Sequence, residues 1–172
     1  AIWQNGNFIG SAQTIAQVTA KPTWLAEFQL SWMPSLGVSF HLAIDGLSLL
    51  MVSLTAFLGM MAVACSWGEI TRRVGFFHLN LLWSLGGVIG VFLAIDMFLF
   101  FFFWEMMLVP IYFLIAVWGH NAIGGKTKEY AATKFFIYTQ ASSLIMLIGI
   151  LIWVMIHAST TGQITFNYMD LL

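Results

Sequence analysis

The sequence predicts an all-α integral membrane protein with four transmembrane helices and a small β-hairpin outside the bilayer. Hydrophobic residues make up 60% of the chain, charged residues make up only 8%, and the mean hydropathy is +0.91. A soluble domain has about 45 to 50% apolar and about 25% charged residues, so the composition excludes an ordinary soluble protein. The net charge of −1 also excludes the basic surface that nucleic-acid binding requires.

Four apolar windows are long enough to cross a bilayer, which takes about 20 mainly apolar residues in a helix. They are residues 47–67, 76–95, 97–118 and 131–156. A single helix over residues 76–118 would be about 64 Å long, so this stretch is predicted to cross twice. The reversal is expected at Asp96, as a turn residue, and Asp45 is predicted to cap the first helix.

Basic residues recur at every second helix boundary. Arg72 and Arg73 follow the first window, and Lys126 and Lys128 follow the third. Cytoplasmic loops are enriched in Lys and Arg, which fixes the expected orientation. This topology gives cytoplasmic loops 68–75 and 119–130, a periplasmic segment 1–46, a four-helix transmembrane region 47–156 and a periplasmic tail 157–172.

Two stretches of the N-terminal segment alternate between apolar and polar residues on either side of Pro34 and Gly37. The alternating apolar residues are Phe28, Leu30 and Trp32, then Val38, Phe40, Leu42 and Ile44. Alternation that flanks a Pro and Gly turn predicts a β-hairpin over residues 28–44. Residues 1–20 show no clear period, and no structure is predicted for them.

Glu105 is the only charged residue of the third window. It lies about 12 Å from the outer end of that helix and about 20 Å from the inner end, close to the bilayer midplane. An acid at this depth costs roughly 2.5 to 3.5 kcal/mol and usually marks an ion or proton pathway. The alternative is a structural acid, kept neutral and hydrogen-bonded to a neighbouring helix. Pro110 predicts a local kink, and Tyr112 shares the face of Glu105.

Lys134 begins a polar stripe in the fourth window. Tyr138 and Ser142 follow it at i+4 and i+8, roughly along one helix face. Lys134 lies about 5 Å from the inner end of its helix, so snorkelling to the interface is an alternative role. The depths of Lys134 and Glu105 differ by about 15 Å, which excludes a direct salt bridge. A relay through Tyr138, Ser142 and water is the hypothesis that connects them.

No pattern in the sequence predicts a metal or cofactor site in this chain. The single cysteine, Cys65, excludes a disulfide framework and iron–sulfur ligation, and it is expected to be a small buried residue. The histidines lie near predicted membrane boundaries rather than facing one another as haem ligands would: His41, His78, His120 and His157. A P-loop, a dinucleotide fingerprint and a nucleophile with a base are also lacking.

Three stretches carry motifs of a known membrane family. They are Phe40-His41-Leu42-Ala43-Ile44-Asp45-Gly46-Leu47-Ser48, Phe103-Trp104-Glu105-Met106-Met107-Leu108-Val109-Pro110 and Ala132-Thr133-Lys134-Phe135-Phe136. From about Gly37 to Leu172 the chain resembles the antiporter-like subunits of bacterial respiratory complex I, the NADH:quinone oxidoreductase, and most closely the M type. The resemblance implies a larger inverted-repeat fold, of which this chain would be a fragment that begins with Ala1 rather than Met.

The resemblance also implies a function. Glu105 matches the essential glutamate of the family, and Lys134 matches the lysine of the next helix, so both are expected to take part in proton translocation. The expected setting is the bacterial inner membrane, with the lipid bilayer and other membrane-arm subunits, especially neighbouring antiporter-like subunits, as partners. FMN, iron–sulfur clusters and quinone are expected in other subunits, which makes this chain a non-redox part of the enzyme.

Two alternatives to this function stay open at the level of sequence. A related cation/proton antiporter or a membrane-bound hydrogenase subunit would share the same acid and the same fold. A purely structural membrane scaffold would use Glu105 only as a neutral packing residue.

Overall fold

The computed structural model describes residues 24–33, 37–120 and 127–172. Its elements are β1 (Ala26–Met33), β2 (Val38–Ile44), α1 (Gly46–Glu69), α2 (Val74–Leu93), α3 (Met97–Trp118), α4 (Lys128–Thr161) and α5 (Tyr168–Leu171). Predictions that fall on residues 1–23, on the turn residues 34–36 and on Lys126 lie outside the described residues.

Helices α1 to α4 are long and apolar enough to cross a membrane, which confirms the predicted fold class. Helix α3 has the predicted bounds, and the ends of α1 and α2 differ from the predicted windows 47–67 and 76–95 by one or two residues. Helix α4 begins at Lys128 instead of residue 131 and continues to Thr161 instead of ending at residue 156. In the last turn the hydroxyl groups of Ser159, Thr160 and Thr161 donate back to carbonyl groups of the preceding turn. The polar side chains of this turn thus find partners on the backbone of their own helix.

Each of the four long helices packs on its neighbours along the chain, so α3 lies between α2 and α4. We call the end that carries β1, β2, the α2–α3 turn and Gly162 the hairpin end. The opposite end carries Arg72, Arg73 and Thr127, and we call it the arginine end. The two opposite faces of α3 are therefore both covered by protein.

Helix α1 is covered along one side only. Its buried residues are Thr55, Gly59 and Ser66, which lie on the side that packs against α2. Cys65 is exposed, so the expectation that it would be buried was wrong. The residue lies about 100° around the helix from Ser66, beyond the side that α2 covers.

Glycines allow α2 and α3 to approach closely. A Cβ atom on Gly90 would lie 2.3 Å from Phe103 Cδ1, and one on Gly87 would lie 2.4 Å from Met107 Cγ. Both glycines are buried, whereas Gly86 has open space beside it. These contacts fix Phe103 and Met107 on the side of α3 that faces α2.

Strands β1 and β2 form the predicted antiparallel hairpin. An irregularity between Ser31 and Met33 shifts the register, so Ser39 pairs with Ser31 but Val38 pairs with Met33. Strand β2 also bonds to the α2–α3 turn, because the His41 carbonyl accepts the Ile95 N–H at 3.0 Å. The hairpin is therefore attached to the ends of the helices through its own backbone.

The C-terminal tail closes the same end of the molecule. Its Phe166 carbonyl accepts the Met97 N–H at 2.8 Å, and the Phe166 N–H donates to the Gly37 carbonyl at 3.3 Å. Gly37 has φ +68°, and a Cβ atom there would lie 2.2 Å from the Ile164 carbonyl oxygen. Only glycine satisfies both the left-handed backbone and the close approach of the tail.

Asp96 lies at the predicted reversal but does more than form a turn. It is fully buried and caps α3, accepting the N–H groups of Phe98 at 2.9 Å and Leu99 at 3.1 Å. Its other carboxylate oxygen bonds to β2, 57 residues earlier in the chain. The turn prediction missed this second role because the partner is distant in sequence.

Candidate functional site

Glu105 lies in the hairpin-end half of α3. It is eight residues, or about 12 Å, from the first residue of the helix, Met97. Pro110 follows inside the same helix and is fully buried, so the Met106 carbonyl lacks its usual helical donor. The carboxyl group and the proline are therefore both built into a helix long enough to span the membrane.

Glu105 is on the side of α3 that is turned toward α4. Phe103 and Met107 mark the α2 side, and two residues along a helix correspond to about 200° of rotation. One turn before Glu105, Phe101 packs against the buried apolar cluster that includes Ile150 of α4. Glu105 and Phe101 share a face because they are four residues apart.

Tyr112 lies on the same face of α3, seven residues after Glu105. Its ring centroid is 5.7 Å from that of Phe136 on α4. This contact places Tyr112 within the α3–α4 interface, about two turns closer to the arginine end than Glu105. The face that Tyr112 was predicted to share with Glu105 is therefore the one that packs against α4.

One carboxyl oxygen of Glu105, Oε1, is buried and has no hydrogen-bond partner among the described residues. Leaving a buried acceptor unpaired costs about 1 to 3 kcal/mol, and more when the group is charged. Buried polar groups are nearly always paired, so each exception calls for an explanation. This oxygen is able to accept a hydrogen bond from a group that moves toward it.

The stripe of Lys134, Tyr138 and Ser142 lies on the outer side of α4. The buried residues of α4 include Ala132 and Ser143. Lys134 lies about 200° around the helix from Ala132 and about 180° from Ser143, so it is on the opposite side. Tyr138 is 64% exposed, and Ser142 Oγ donates to the Tyr138 carbonyl at 2.9 Å. The three residues share one face as predicted, but the structure does not bring them to Glu105.

Lys134 has aromatic neighbours on its own helix. Its Nζ lies 5.7 Å from the ring centroid of Tyr130 and 5.7 Å from that of Tyr138. With Thr133 and Ile137 these residues line an open groove of about 270 Å³. Cation–π contacts of this kind contribute about 0.5 to 1 kcal/mol at exposed sites and hold the ammonium group close to the helix.

Ser143 is a site residue that the sequence analysis missed. It is 2% exposed and sits on the side of α4 that α3 covers, and its Oγ donates to the Gln140 carbonyl at 3.0 Å. Thr139, one turn earlier, also lies on this side. The serine pair at 142 and 143 was a visible signal, but only burial shows which of the two faces α3.

A second carboxyl contact that the sequence did not reveal lies in the hairpin. Glu27 Oε1 is 2.9 Å from His41 Nε2, and His41 is only 4% exposed. Glu27 is paired with Ala43 in the register, so His41 is its diagonal neighbour on the same face. Across residues 24–33, 37–120 and 127–172, no three His, Cys, Asp or Glu side chains are grouped to hold a metal ion.

Comparisons with known sequences agree on one family. The family model described as "NADH:quinone oxidoreductase/Mrp antiporter, TM" matches residues 94–172. The chain is 63% identical to NADH-quinone oxidoreductase subunit M of Escherichia coli (strain K12) and 62% identical to that subunit of Pseudomonas aeruginosa. Each match covers 99% of this chain and 33% of the relative, so the chain spans about a third of the length of these curated relatives.

Solved structures give the same result. Respiratory complex I from Thermus thermophilus with bound NADH matches with a TM-score of 0.63 and 29% identity, over 92% of this chain and 31% of that chain. The archaeal membrane-bound sulfane sulfur reductase matches with a TM-score of 0.61 over 90% of this chain and 22% of that chain. At 24% identity, this second likeness shows the fold alone.

Proposed function

Because this chain belongs to the antiporter-like subunit M family of NADH-quinone oxidoreductases, we propose that it is part of a proton-translocating membrane subunit in which Glu105 takes up and releases the proton. The observation that carries this proposal is the buried Oε1 of Glu105, which has no hydrogen-bond partner among the described residues and lies in a helix long and apolar enough to span a membrane. Placing an acid at such depth in the bilayer costs free energy, and acids found there usually mark proton or ion pathways.

Lys134 is proposed as the second ionisable group of the translocation machinery. It lies on the face of α4 turned away from α3, between Tyr130 and Tyr138. This placement supports a role toward parts of the assembly outside this chain rather than a direct pair with Glu105. Tyr138 and Ser142 would extend the polar contacts of Lys134, and Tyr112 those of Glu105.

The proposed location is the bacterial inner membrane, with the arginine end in the cytoplasm. Arg72 and Arg73 lie at that end, and Lys128 begins α4 there. The positive-inside rule counts Lys and Arg and gives little weight to acids, so Glu69 and Glu129 at the same end do not oppose it. The hairpin and the C-terminal tail of this chain would then face the periplasm.

The chain is proposed to act without a redox centre of its own. FMN, iron–sulfur clusters and quinone would reside in other subunits, and electron transfer there would drive charge rearrangement at Glu105. Its partners would be the other membrane-arm subunits, especially neighbouring antiporter-like subunits. The two subunit M relatives, at 62 to 63% identity, favour this setting over a separate antiporter or a membrane-bound hydrogenase.

The test is proton pumping by membranes that carry the full-length protein with Glu105→Gln. We expect pumping per NADH oxidised to fall several-fold while the complex still assembles, because the amide cannot release a proton. Glu69→Gln, at an exposed acid near the arginine end, is the matched control and should pump like the parent. An assembled Glu105→Gln complex with the parental pumping ratio would leave Glu105 as a structural acid and favour the scaffold alternative.

A further inference from the structure

We propose that Ser143 of α4 is the relay residue through which Glu105 exchanges its proton, and that this exchange occurs from the arginine end. The inference rests on the proposed role of Glu105 as a proton carrier and adds the path that serves it within this chain. Three observations support it: the relative depth of the two residues, the polar side of the α3–α4 interface and the apolar lining of the hairpin side.

Ser143 and Glu105 lie at about the same depth on facing sides of α3 and α4. The ring contact between Tyr112 and Phe136 defines one level that the two antiparallel helices share. Toward the hairpin end, Glu105 is seven residues from Tyr112, and Ser143 is seven residues from Phe136. Both helices rise about 1.5 Å per residue, so the backbone positions of Glu105 and Ser143 both lie about 10 Å closer to the hairpin end than that contact.

The hydroxyl group of Ser143 is able to bond with Glu105 without leaving a buried donor unpaired. At present its Oγ donates to the Gln140 carbonyl, and the residue is 2% exposed. A serine hydroxyl rotates between partners and also accepts through its lone pairs. Oε1 of Glu105 has no described partner, so a rotation of Ser143 toward it would satisfy a buried acceptor.

Polar side chains continue from Ser143 toward the arginine end of the interface. Thr139 lies one turn further and is half-buried, with its Oγ1 bonded to the Phe135 carbonyl at 2.8 Å. Gln140 is half-buried beside it, and Tyr112 lies on the facing helix. These hydroxyl and amide groups are spaced by about one helical turn, a distance that single water molecules bridge.

Apolar residues line the hairpin side of the interface, around a groove of about 470 Å³. The buried cluster there consists of Val38, Ile150, Val154, Phe166 and Leu171, with Met33, Met97, Phe98, Phe101, Met146 and Trp153 packed against it. Asp96 lies beyond this cluster, and each of its oxygens already accepts two hydrogen bonds. No hydroxyl or amide of the described cluster side chains continues the path in this direction, because the cluster is made of hydrocarbon, thioether and indole groups.

The proposed step conserves protons and charge. Ser143 Oγ donates its hydrogen to the Glu105 carboxylate and at the same time accepts a proton that comes from water at the arginine end. The hydroxyl groups of Thr139 and Tyr112 and bridging water pass this proton along, and each regains the proton that it gives up. The serine ends as a neutral hydroxyl, and Glu105 ends as a neutral carboxylic acid.

The test compares Ser143→Ala, Ser143→Thr and Ser159→Ala in the full-length protein within the assembled complex. Ser159 is the matched control, because it lies on the same helix, is exposed, and bonds to its own helix carbonyl at i−3 as Ser143 does. We expect Ser143→Ala to slow pumping-coupled turnover several-fold and to increase the solvent deuterium isotope effect. Ser143→Thr should restore the rate because it keeps the hydroxyl, and Ser159→Ala should match the parent.

Sided pH changes in sealed vesicles test the direction of the path. In Ser143→Ala, raising the pH at the arginine-end face alone should lower turnover more than in the parent, because proton supply from that face has become limiting. The same sensitivity at the hairpin-end face instead would overturn the proposed direction. A merely structural role of Ser143 would not change the isotope effect or this sided dependence.

The Glu105→Gln complex separates failure of this inference from failure of the proposed function. If Glu105→Gln abolishes pumping but Ser143→Ala keeps the parental rate and isotope effect, Ser143 is not the relay and Glu105 keeps its role. If Ser143→Thr is as slow as Ser143→Ala, the effect is one of packing and the relay is overturned. If Glu105→Gln pumps normally, the proposed function itself fails, and the relay with it.

Discussion

Asp96 joins the hairpin to α3 through Ser39. Its Oδ2 accepts the Ser39 backbone N–H at 2.8 Å and the Ser39 hydroxyl at 3.3 Å. Its Oδ1 accepts the first free N–H groups of α3, so one fully buried carboxylate serves both elements. Because α3 also carries Glu105, this contact fixes the hairpin end of the helix that holds the candidate proton carrier.

Asp96→Asn should destabilise the protein. The carboxylate accepts four hydrogen bonds, two at each oxygen. The amide of asparagine has only one acceptor oxygen, and its NH₂ group would replace the other oxygen and face N–H or O–H groups that are themselves donors. Unpaired buried groups of this kind cost about 1 to 3 kcal/mol. Thermal unfolding of the full-length protein in detergent measures the loss.

The control for Asp96 is Asp170→Asn. Asp170 is exposed and accepts one described hydrogen bond from the Thr165 hydroxyl at 3.2 Å, so this substitution should change stability little. Equal effects of the two substitutions would show that the Asp96 network does not stabilise the fold.

Gly90→Ala should weaken the packing of α2 on α3. The new Cβ atom would lie 2.3 Å from Phe103 Cδ1, so Phe103 or the helix must move. Overpacking of this kind costs typically about 1 to 3 kcal/mol. Gly86→Ala is the matched control in the same helix, because nothing lies within 4 Å of its Cβ position. Unfolding of both variants in detergent checks the prediction, which fails if the two are equally stable.

Asp45 should make stability depend on pH in the acid range. The Ser48 hydroxyl and then the Ser48 backbone N–H lower the pKa of Asp45, which caps α1. A carboxyl whose pKa is lower in the folded state stabilises the protein above its unfolded pKa of about 3.9. That contribution disappears as the pH falls through the lower, folded pKa.

Removal of the Ser48 hydroxyl tests this contribution. Ser48→Ala should raise the pKa of Asp45 toward its ordinary value, so less stability remains to be lost on acidification. An N-cap contributes about 0.5 to 2 kcal/mol, which bounds the effect at neutral pH. The free energy of unfolding of parent and variant is measured between about pH 3 and pH 7. The unfolded pKa of Asp45 is the same in both proteins, so a difference between the two curves reports on the folded state. Parallel stability curves for the two proteins would contradict the prediction.

Much of the fold followed from local patterns. The bounds of α3 came directly from the apolar run and the polar break at Asp96, because bilayer thickness alone sets the length of a spanning helix. The hairpin followed from period-two alternation around Pro34 and Gly37. Glu105 stood out for a similar reason, since the cost of an acid in the bilayer depends only on its immediate apolar surroundings.

The candidate site was less predictable, because its parts come from separate helices. Ser142 and Ser143 are adjacent, yet they point about 100° apart, and nothing local tells which of them faces α3. Asp96 looked like a turn residue because its partner Ser39 is 57 positions away. The Glu27 and His41 contact needed the exact register of the hairpin, which a bulge shifts by one position.

The sequence by itself determined that this chain has four helices able to span a membrane, where the third of them begins and ends, and that one acid lies deep within that helix. Periodicity and apolar length are properties of a single segment of sequence, so they predict a helix or strand without knowledge of how the segments pack together. The tertiary structure decided that Glu105 faces α4, that Ser143 lies level with it and that Lys134 points away. Those relations depend on which sides of the helices pack together, and packing is settled by contacts between residues far apart in the chain, such as Gly90 with Phe103 and Tyr112 with Phe136.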